Sequence, residues 1–260
     1  MEALEFEWGK MHLNVRNGSG PALVFVNSLG TDLRMWDAVI QRLPATWVCL
    51  RMDNRGHGLS DSAPASYTLS DLATDVIAAM DRAKITRGVI VGCSVGGLIA
   101  QQIALMAPDR VVALVLSNTA SKLGAPEAWR DRAEGIRENG MGPMANAILP
   151  RWFGPEMLKR PEADLWRNLL SRTDVQGYIA TCEAIAQADV TPCLSRILQP
   201  ALVIGGGHDQ ATPPETVEAL AEKLPRADFA MFENSGHLPA IEEPAAFAEM
   251  LTRYVERVTP

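Results

Sequence analysis

Four short runs of unbroken apolar residues fall within residues 1–119: Ala22-Leu-Val-Phe-Val26, Trp47-Val-Cys-Leu50, Gly88-Val-Ile-Val91 and Val111-Val-Ala-Leu-Val-Leu116. Runs this short, with no polar alternation, suit strands buried on both faces, which is the situation in a parallel sheet. Helix signals lie between them. Thr68 with Asp71 three residues on reads as a capping box, and Leu72, Val76, Ile77 and Met80 then share one helical face. A second helix runs through Gln101–Met106, begins just after Gly92-Cys-Ser-Val-Gly96, and is stopped by Pro108. Strands alternating with helices predict right-handed βαβ units in a doubly wound sheet.

The pattern changes after Thr119. No strand-like segment occurs from residue 120 to about 195. Instead there is Pro126 to Arg137, then Gly140-Met-Gly-Pro143 and Trp152-Phe-Gly-Pro155, then helical stretches around Asp164–Ser171 and Val175–Ala186. Glycine and proline punctuate the whole of it. Sheet signal returns at Pro200-Ala-Leu-Val-Ile-Gly205 and at Asp228-Phe-Ala-Met-Phe232. Helices follow near Pro214–Leu224 and Pro244–Val258, each opened by a proline suited to a first turn. The expected organisation is an α/β core over residues 1–119, a helical cap inserted over 120–195, and a second part of the core over 196–260.

Gly92-Cys93-Ser94-Val95-Gly96 fits G-x-S-x-G and stands between a strand and a helix, as that motif requires. A serine on so sharp a turn exposes its Oγ at a helix N-terminus, where the backbone N–H of Val95 can meet developing negative charge. A hydroxyl nucleophile needs a base, and the base needs an orienting carboxylate. The chain has four histidines. His237, in Asn234-Ser-Gly-His-Leu-Pro239, directly follows the last strand, at the sheet edge where open α/β folds place ligands. His12 reads as an early-strand residue with no partner in view, and His57 as part of a turn. His208 adjoins Asp209 in sequence and is a poor base for that carboxylate. Asp209 follows the strand ending at Gly205 and is the expected acid; Asp174 and Asp189 follow no strand. The order Ser94, Asp209, His237 is one in which such triads occur. A second oxyanion donor is expected in the loop Asn27-Ser-Leu-Gly30, at the N–H of Leu29.

Composition narrows the classes. The 260 residues suit one large domain, or one with an insertion, and the net charge of −7 argues against a dedicated nucleic-acid binder. No run approaches the roughly 18 apolar residues of a membrane span. The first ten residues carry three glutamates and no apolar stretch, unlike a secretory signal. Cys49, Cys93, Cys182 and Cys193 form no CxxC pair and read as reduced thiols of a cytoplasmic protein. No clustered His/Cys ligand set suggests a metal, and no cofactor is expected.

The chain resembles the 3-oxoadipate enol-lactonase family of the α/β-hydrolase superfamily. The resemblance is carried by Asn27-Ser-Leu-Gly-Thr-Asp-Leu-Arg-Met-Trp-Asp37, Asp53-Asn-Arg-Gly-His-Gly-Leu-Ser60, the Ser94 turn, Gly205-Gly-Gly-His-Asp-Gln-Ala-Thr-Pro-Pro214 and the His237 loop. Pro126-Glu-Ala-Trp-Arg-Asp-Arg132 and Arg151-Trp-Phe-Gly-Pro155 extend it into the cap. Cys93 departs from the commoner Leu, Asn or His; its side chain is expected to point away from the Ser94 Oγ and to matter for packing. The resemblance implies an α/β-hydrolase fold, a Ser-His-Asp acyl-transfer mechanism without cofactor, and a small anionic enol-lactone as substrate. An anionic substrate calls for a positive cap. Residues 120–172 hold nine basic and seven acidic residues, and three tryptophans, Trp129, Trp152 and Trp166. Arg132 and Trp129, three apart on one helical face, are the expected contacts, with Arg151 and Trp152 in reserve. Other readings share the triad: a carboxylesterase or cofactor-free perhydrolase, a C–C bond hydrolase, or a hydrolase-fold sensor that binds a ligand and signals to a partner. Epoxide hydrolases and dehalogenases use a carboxylate where Ser94 stands.

Overall fold

A computed structural model describes residues 1–64 and 66–259. Eight strands form one sheet: β1 (Glu2–Phe6), β2 (Gly9–Arg16), β3 (Ala22–Val26), β4 (Val48–Met52), β5 (Gly88–Cys93), β6 (Val111–Ser117), β7 (Ala201–Gly206) and β8 (Ala227–Phe232). Their order is β1-β2-β4-β3-β5-β6-β7-β8. The pairs from β4 through β8 are parallel, with Val24 opposite both Leu50 and Ile90. The β1–β2 and β2–β4 pairs are antiparallel. Each unbroken apolar run became a strand, because helices cover both faces of the parallel part. β3, β5, β6 and β7 are almost wholly buried.

The N-terminal hairpin is what an unbroken-run criterion passes over. β2 alternates buried Met11 and Leu13 with more exposed Lys10 and Asn14. That is the period-2 pattern of a strand with one wet face.

Besides three short 3-10 turns, eleven α-helices occur among the described residues. They are α1 (Asp37–Ile40), α2 (Leu69–Arg82), α3 (Val95–Met106), α4 (Pro126–Asn139), α5 (Met141–Trp152), α6 (Pro155–Leu158), α7 (Pro161–Ser171), α8 (Val175–Gln187), α9 (Pro214–Lys223), α10 (Pro239–Glu242) and α11 (Pro244–Val258). α2 opens on the expected reciprocal cap. The Asp71 N–H donates to the Thr68 Oγ1, and the Thr68 N–H donates to the Asp71 carboxylate at 2.7 Å. α3 starts at Val95, two residues earlier than expected and inside the glycine-serine motif. α5 runs through Gly142-Pro143, which read as punctuation in sequence. Gly140, at φ +73°, ends α4 and starts α5, and Pro143 falls in the first turn, where its missing N–H costs nothing.

α4–α8 lie between β6 and β7 and fold over the C-terminal edge of the sheet. Their docking is tight where α8 meets the loop after β4. A Cβ on Gly177 would collide with the Gly56 backbone, so two glycines are needed at that crossing. Asp174 caps α8 by accepting from the Gly177 N–H at 2.8 Å, and the same oxygen accepts the Ser62 hydroxyl. The Tyr67 hydroxyl donates to the Gly177 carbonyl at 3.1 Å and lies 2.7 Å from the Thr181 hydroxyl. Among the described residues no helix is long and apolar enough to cross a membrane.

Candidate active site

The strand order fixes where a site can form. From β3 the chain crosses to β4 on one side and then returns to β5 on the other. The loops after β3 and β5 therefore diverge and leave a crevice at the C-terminal ends of the strands. Ser94 sits on the turn after β5, and Asn27–Gly30 on the loop after β3.

Ser94 has φ +57° and ψ −120°, a conformation that side-chain-bearing residues rarely adopt. Its surroundings enforce it. The Ser94 N–H donates to the Ser117 carbonyl at 2.9 Å. Its own carbonyl accepts from the Gly97 and Leu98 N–H groups and from the Thr119 hydroxyl at 2.6 Å. The two flanking glycines leave no choice. A Cβ on Gly92 would strike the Gly96 carbonyl, and one on Gly96 would strike the Val26 carbonyl.

His237 Nδ1 lies 2.8 Å from Asp209 Oδ2, and both side chains are buried. Asp209 is held from three further directions. Its Oδ1 accepts the Ala211 and Thr212 N–H groups at 2.7 and 2.9 Å, and its Oδ2 accepts from Asn118 Nδ2 at 2.9 Å. With Asp209 Oδ2 facing Nδ1, the Nε2 of His237 is the ring nitrogen left open toward the cavity. Ser94, His237, Ser28 and Leu29 line one small cavity of about 130 Å³. Among the described residues, the N–H groups of Leu29 and Val95 have no protein acceptor.

The cap supplies the opposite wall. Trp129, Arg132, Arg151 and Trp152 all line the same cavity. The Arg132 guanidinium lies over the Trp129 ring, 4.5 Å from its centroid. Arg151 donates to the Gln210 carbonyl at 3.0 Å. Burial, and then the nearby Arg132 cation, push the Arg151 guanidinium below its ordinary range. Trp166 lies elsewhere, in a groove with Leu165 and Arg34.

The other titratable residues fall into place around this. His12, on β2, has a partner after all: its Nδ1 is 2.8 Å from Asp53 Oδ2. His57 is buried in its turn with Nδ1 against the Arg55 carbonyl, and burial pushes its pKa down. His208 is exposed. Asp189 pairs with Lys122 at 3.2 Å. The Cys93 thiol is buried and donates to the His237 carbonyl at 3.6 Å, and burial pushes it well above the usual thiol range.

Three residues were missed in the sequence. Asn118 follows the β6 run directly, so a polar residue just past a strand end was a usable signal. It has φ +50°, takes the Ser117 hydroxyl on Oδ1, and donates to Asp209 and, at 3.2 Å, to the Gly236 carbonyl. Tyr178 lines the cavity from α8 with no sequence signal to mark it. Glu242 is buried on α10 and touches the backbone beside His237.

Residues 21–244 match the family model described as alpha/beta hydrolase fold. The chain is 37% identical over 239 residues to 3-oxoadipate enol-lactonase 2 of Acinetobacter baylyi, covering 91% of this chain and 89% of that protein. It is 31% identical over 246 residues to a pimeloyl-[acyl-carrier protein] methyl ester esterase of Neisseria meningitidis, covering 90% of this chain and 93% of the other. Among solved structures, the enol-lactonase from Burkholderia xenovorans LB400 superposes with a TM-score of 0.93 at 36% identity, covering 98% of this chain and all of that one.

Proposed function

The chain belongs to the alpha/beta-hydrolase family and is an ester hydrolase, and from that premise we propose that it opens a small anionic enol-lactone, 3-oxoadipate enol-lactone, to 3-oxoadipate. One observation carries the choice of substrate. The cavity that holds Ser94 and His237 is closed on its cap side by two arginines, Arg132 and Arg151, next to Trp129 and Trp152. Two half-buried guanidinium groups close to one another favour an anionic guest between them. Aromatic rings beside them offer a flat apolar surface for a planar lactone ring.

The proposed reaction is acyl transfer in two steps. Ser94 Oγ attacks the lactone carbonyl while His237 Nε2 takes its proton, with Asp209 fixing the tautomer and stabilising the imidazolium. The oxyanion lies between the N–H groups of Leu29 and Val95, whose lack of a protein acceptor supports that role. Losing one such donor typically costs about 10²–10³ in turnover. As the tetrahedral intermediate collapses, the bond to the ring oxygen breaks and His237 returns the proton. The released enol becomes a ketone on a chain still esterified to Ser94. His237 then activates water, which frees the carboxylate and restores the serine.

The test is hydrolysis of 3-oxoadipate enol-lactone beside a neutral lactone of equal size, by wild type and Arg132→Ala. The variant is expected to raise KM for the anionic lactone by about tenfold or more, the usual worth of a hydrogen bond to a charged group, and to leave the neutral one nearly unchanged. Equal effects on both would remove Arg132 from the site, and faster turnover of the neutral lactone by wild type would favour a general esterase.

A further inference from the structure

The buried carboxylate of Glu242 lies outside the triad yet makes two bonds that bear on it. Its Oε1 accepts the Gly236 N–H at 2.8 Å, immediately before His237. Its Oε2 accepts the Gly154 N–H at 2.8 Å, two residues after Trp152 in the turn between α5 and α6. A third bond closes the circuit: the His237 N–H donates to the Trp152 carbonyl at 2.7 Å. The loop carrying the base and the turn ending α5 are thus stitched by a single side chain, which is only about 8% exposed.

We propose that Glu242 is a positioning residue for the reaction: as a carboxylate it clamps the His237 loop to the α5–α6 turn and holds the base in register with Ser94 and with the cap wall of the cavity. A carboxylate suits this best. Both groups it meets are donors, so both of its oxygens must accept. An amide sets its NH2 donor against an N–H, and a protonated acid exchanges one strong acceptor oxygen for a weaker hydroxyl. The inference rests on His237 acting as the base and is independent of which ester or lactone is turned over.

The charge of Glu242 is held in an unfavourable place. Burial pushes its pKa up to about 7, the hydrogen bonds from Gly154 and Gly236 and the nearby Leu238 backbone oppose this, and the neighbouring Glu243 adds to the rise. Glu243 is itself engaged by the Ser235 hydroxyl at 2.7 Å. Most charged groups on the other elements packed against α10 are committed elsewhere: Asp37 of α1 to Arg51, Arg34 of the 3-10 turn Leu33–Trp36 to Asp32, and, on α11, Glu249 to Arg253 and Arg257 to Asp228, while Glu256 of α11 makes no ion pair among the described residues. His237 presents its ring to Asp209. The clamp is therefore expected to loosen as pH falls through about 7.

The experiment is steady-state hydrolysis of 4-nitrophenyl acetate, a neutral ester, by wild type, Glu242→Gln and Ser94→Ala between pH 5.5 and 8.5. At low pH the wild-type acid resembles the amide, so the kcat ratio of wild type to Glu242→Gln is expected near one. It should climb through about pH 7 to about tenfold, the order of loss that a small misplacement causes, with KM changed less than about twofold. A ratio that is constant across pH, with Ser94→Ala inactive, would overturn the clamp alone. Retained turnover by Ser94→Ala would overturn the triad and the clamp with it. Should Glu242→Gln fail to fold, the wild-type amide resonances of Gly154 and Gly236 carry the test. A common shift with one midpoint near pH 7 supports the clamp, and separate midpoints or no shift refute it.

Discussion

Asn118 shows how much of the proposed triad lies outside its three members. Its amide braces Asp209 and the Gly236 carbonyl together, so it reaches both sides of the dyad. Asn118→Ala leaves Asp209 one bond short and places a Cβ residue without a polar side chain in a left-handed conformation. The expected cost is about 1–3 kcal/mol in urea unfolding, with kcat reduced and KM little changed. Ser94→Ala, by contrast, removes the proposed attacking atom and none of the turn's hydrogen bonds, which are all backbone or Thr119 bonds. Turnover should fall by a factor on the order of 10⁶ with an unchanged circular dichroism spectrum. Glu242 sets rate against stability. Its folded pKa, about 7, lies above its ordinary value of 4.5. The stability associated with the neutral form is full below the lower value and is lost as pH rises through the higher one. The Tm of wild type relative to Glu242→Gln should therefore fall between about pH 5 and 8, while the relative kcat rises.

At the scale of elements, glycine contacts decide how closely cap and core approach. Gly177→Ala would drive α8 away from Gly56. Because α8 also carries Tyr178 into the cavity, the expected result is a higher KM and faster proteolysis within residues 120–195, with the core protected. Gly96→Ala is harsher, since its Cβ meets the Val26 backbone under the nucleophile; overpacking there should cost about 3 kcal/mol or more in chemical denaturation. The same contrast explains what the sequence revealed. β3, β5, β6 and β7 were legible because a doubly covered strand leaves an unbroken apolar run. α2 was legible because Thr68 and Asp71 form a local device three residues apart. β1, α1 and α10 were not. The first carries a polar alternation, and the helices are single turns whose stability comes from what they pack against. Ser94, Asp209 and His237 could be grouped from the sequence because each lies in the segment that follows a strand. Glu242 could not, because its partners at Gly154 and Gly236 are joined only by the fold.

Across the whole molecule, charge is uneven. The chain carries −7, while residues 120–172 run slightly positive and place Arg132 and Arg151 over the cavity. An anionic substrate would be drawn to that face and repelled by much of the rest. Raising ionic strength from about 10 mM to about 300 mM shortens the screening length severalfold and should lower kcat/KM for an anionic lactone while leaving a neutral ester unaffected. The tie between the Trp152 carbonyl and the His237 N–H also governs how such a protein can change. Trp152 faces the cavity with its side chain and holds the His237 loop with its backbone. A cap exchanged between relatives at the strand boundaries would carry part of the proposed catalytic apparatus with it. Specificity and rate are therefore inherited together, and a chimera that keeps its parent's turnover must keep the geometry of residues 152–154 whatever else is replaced.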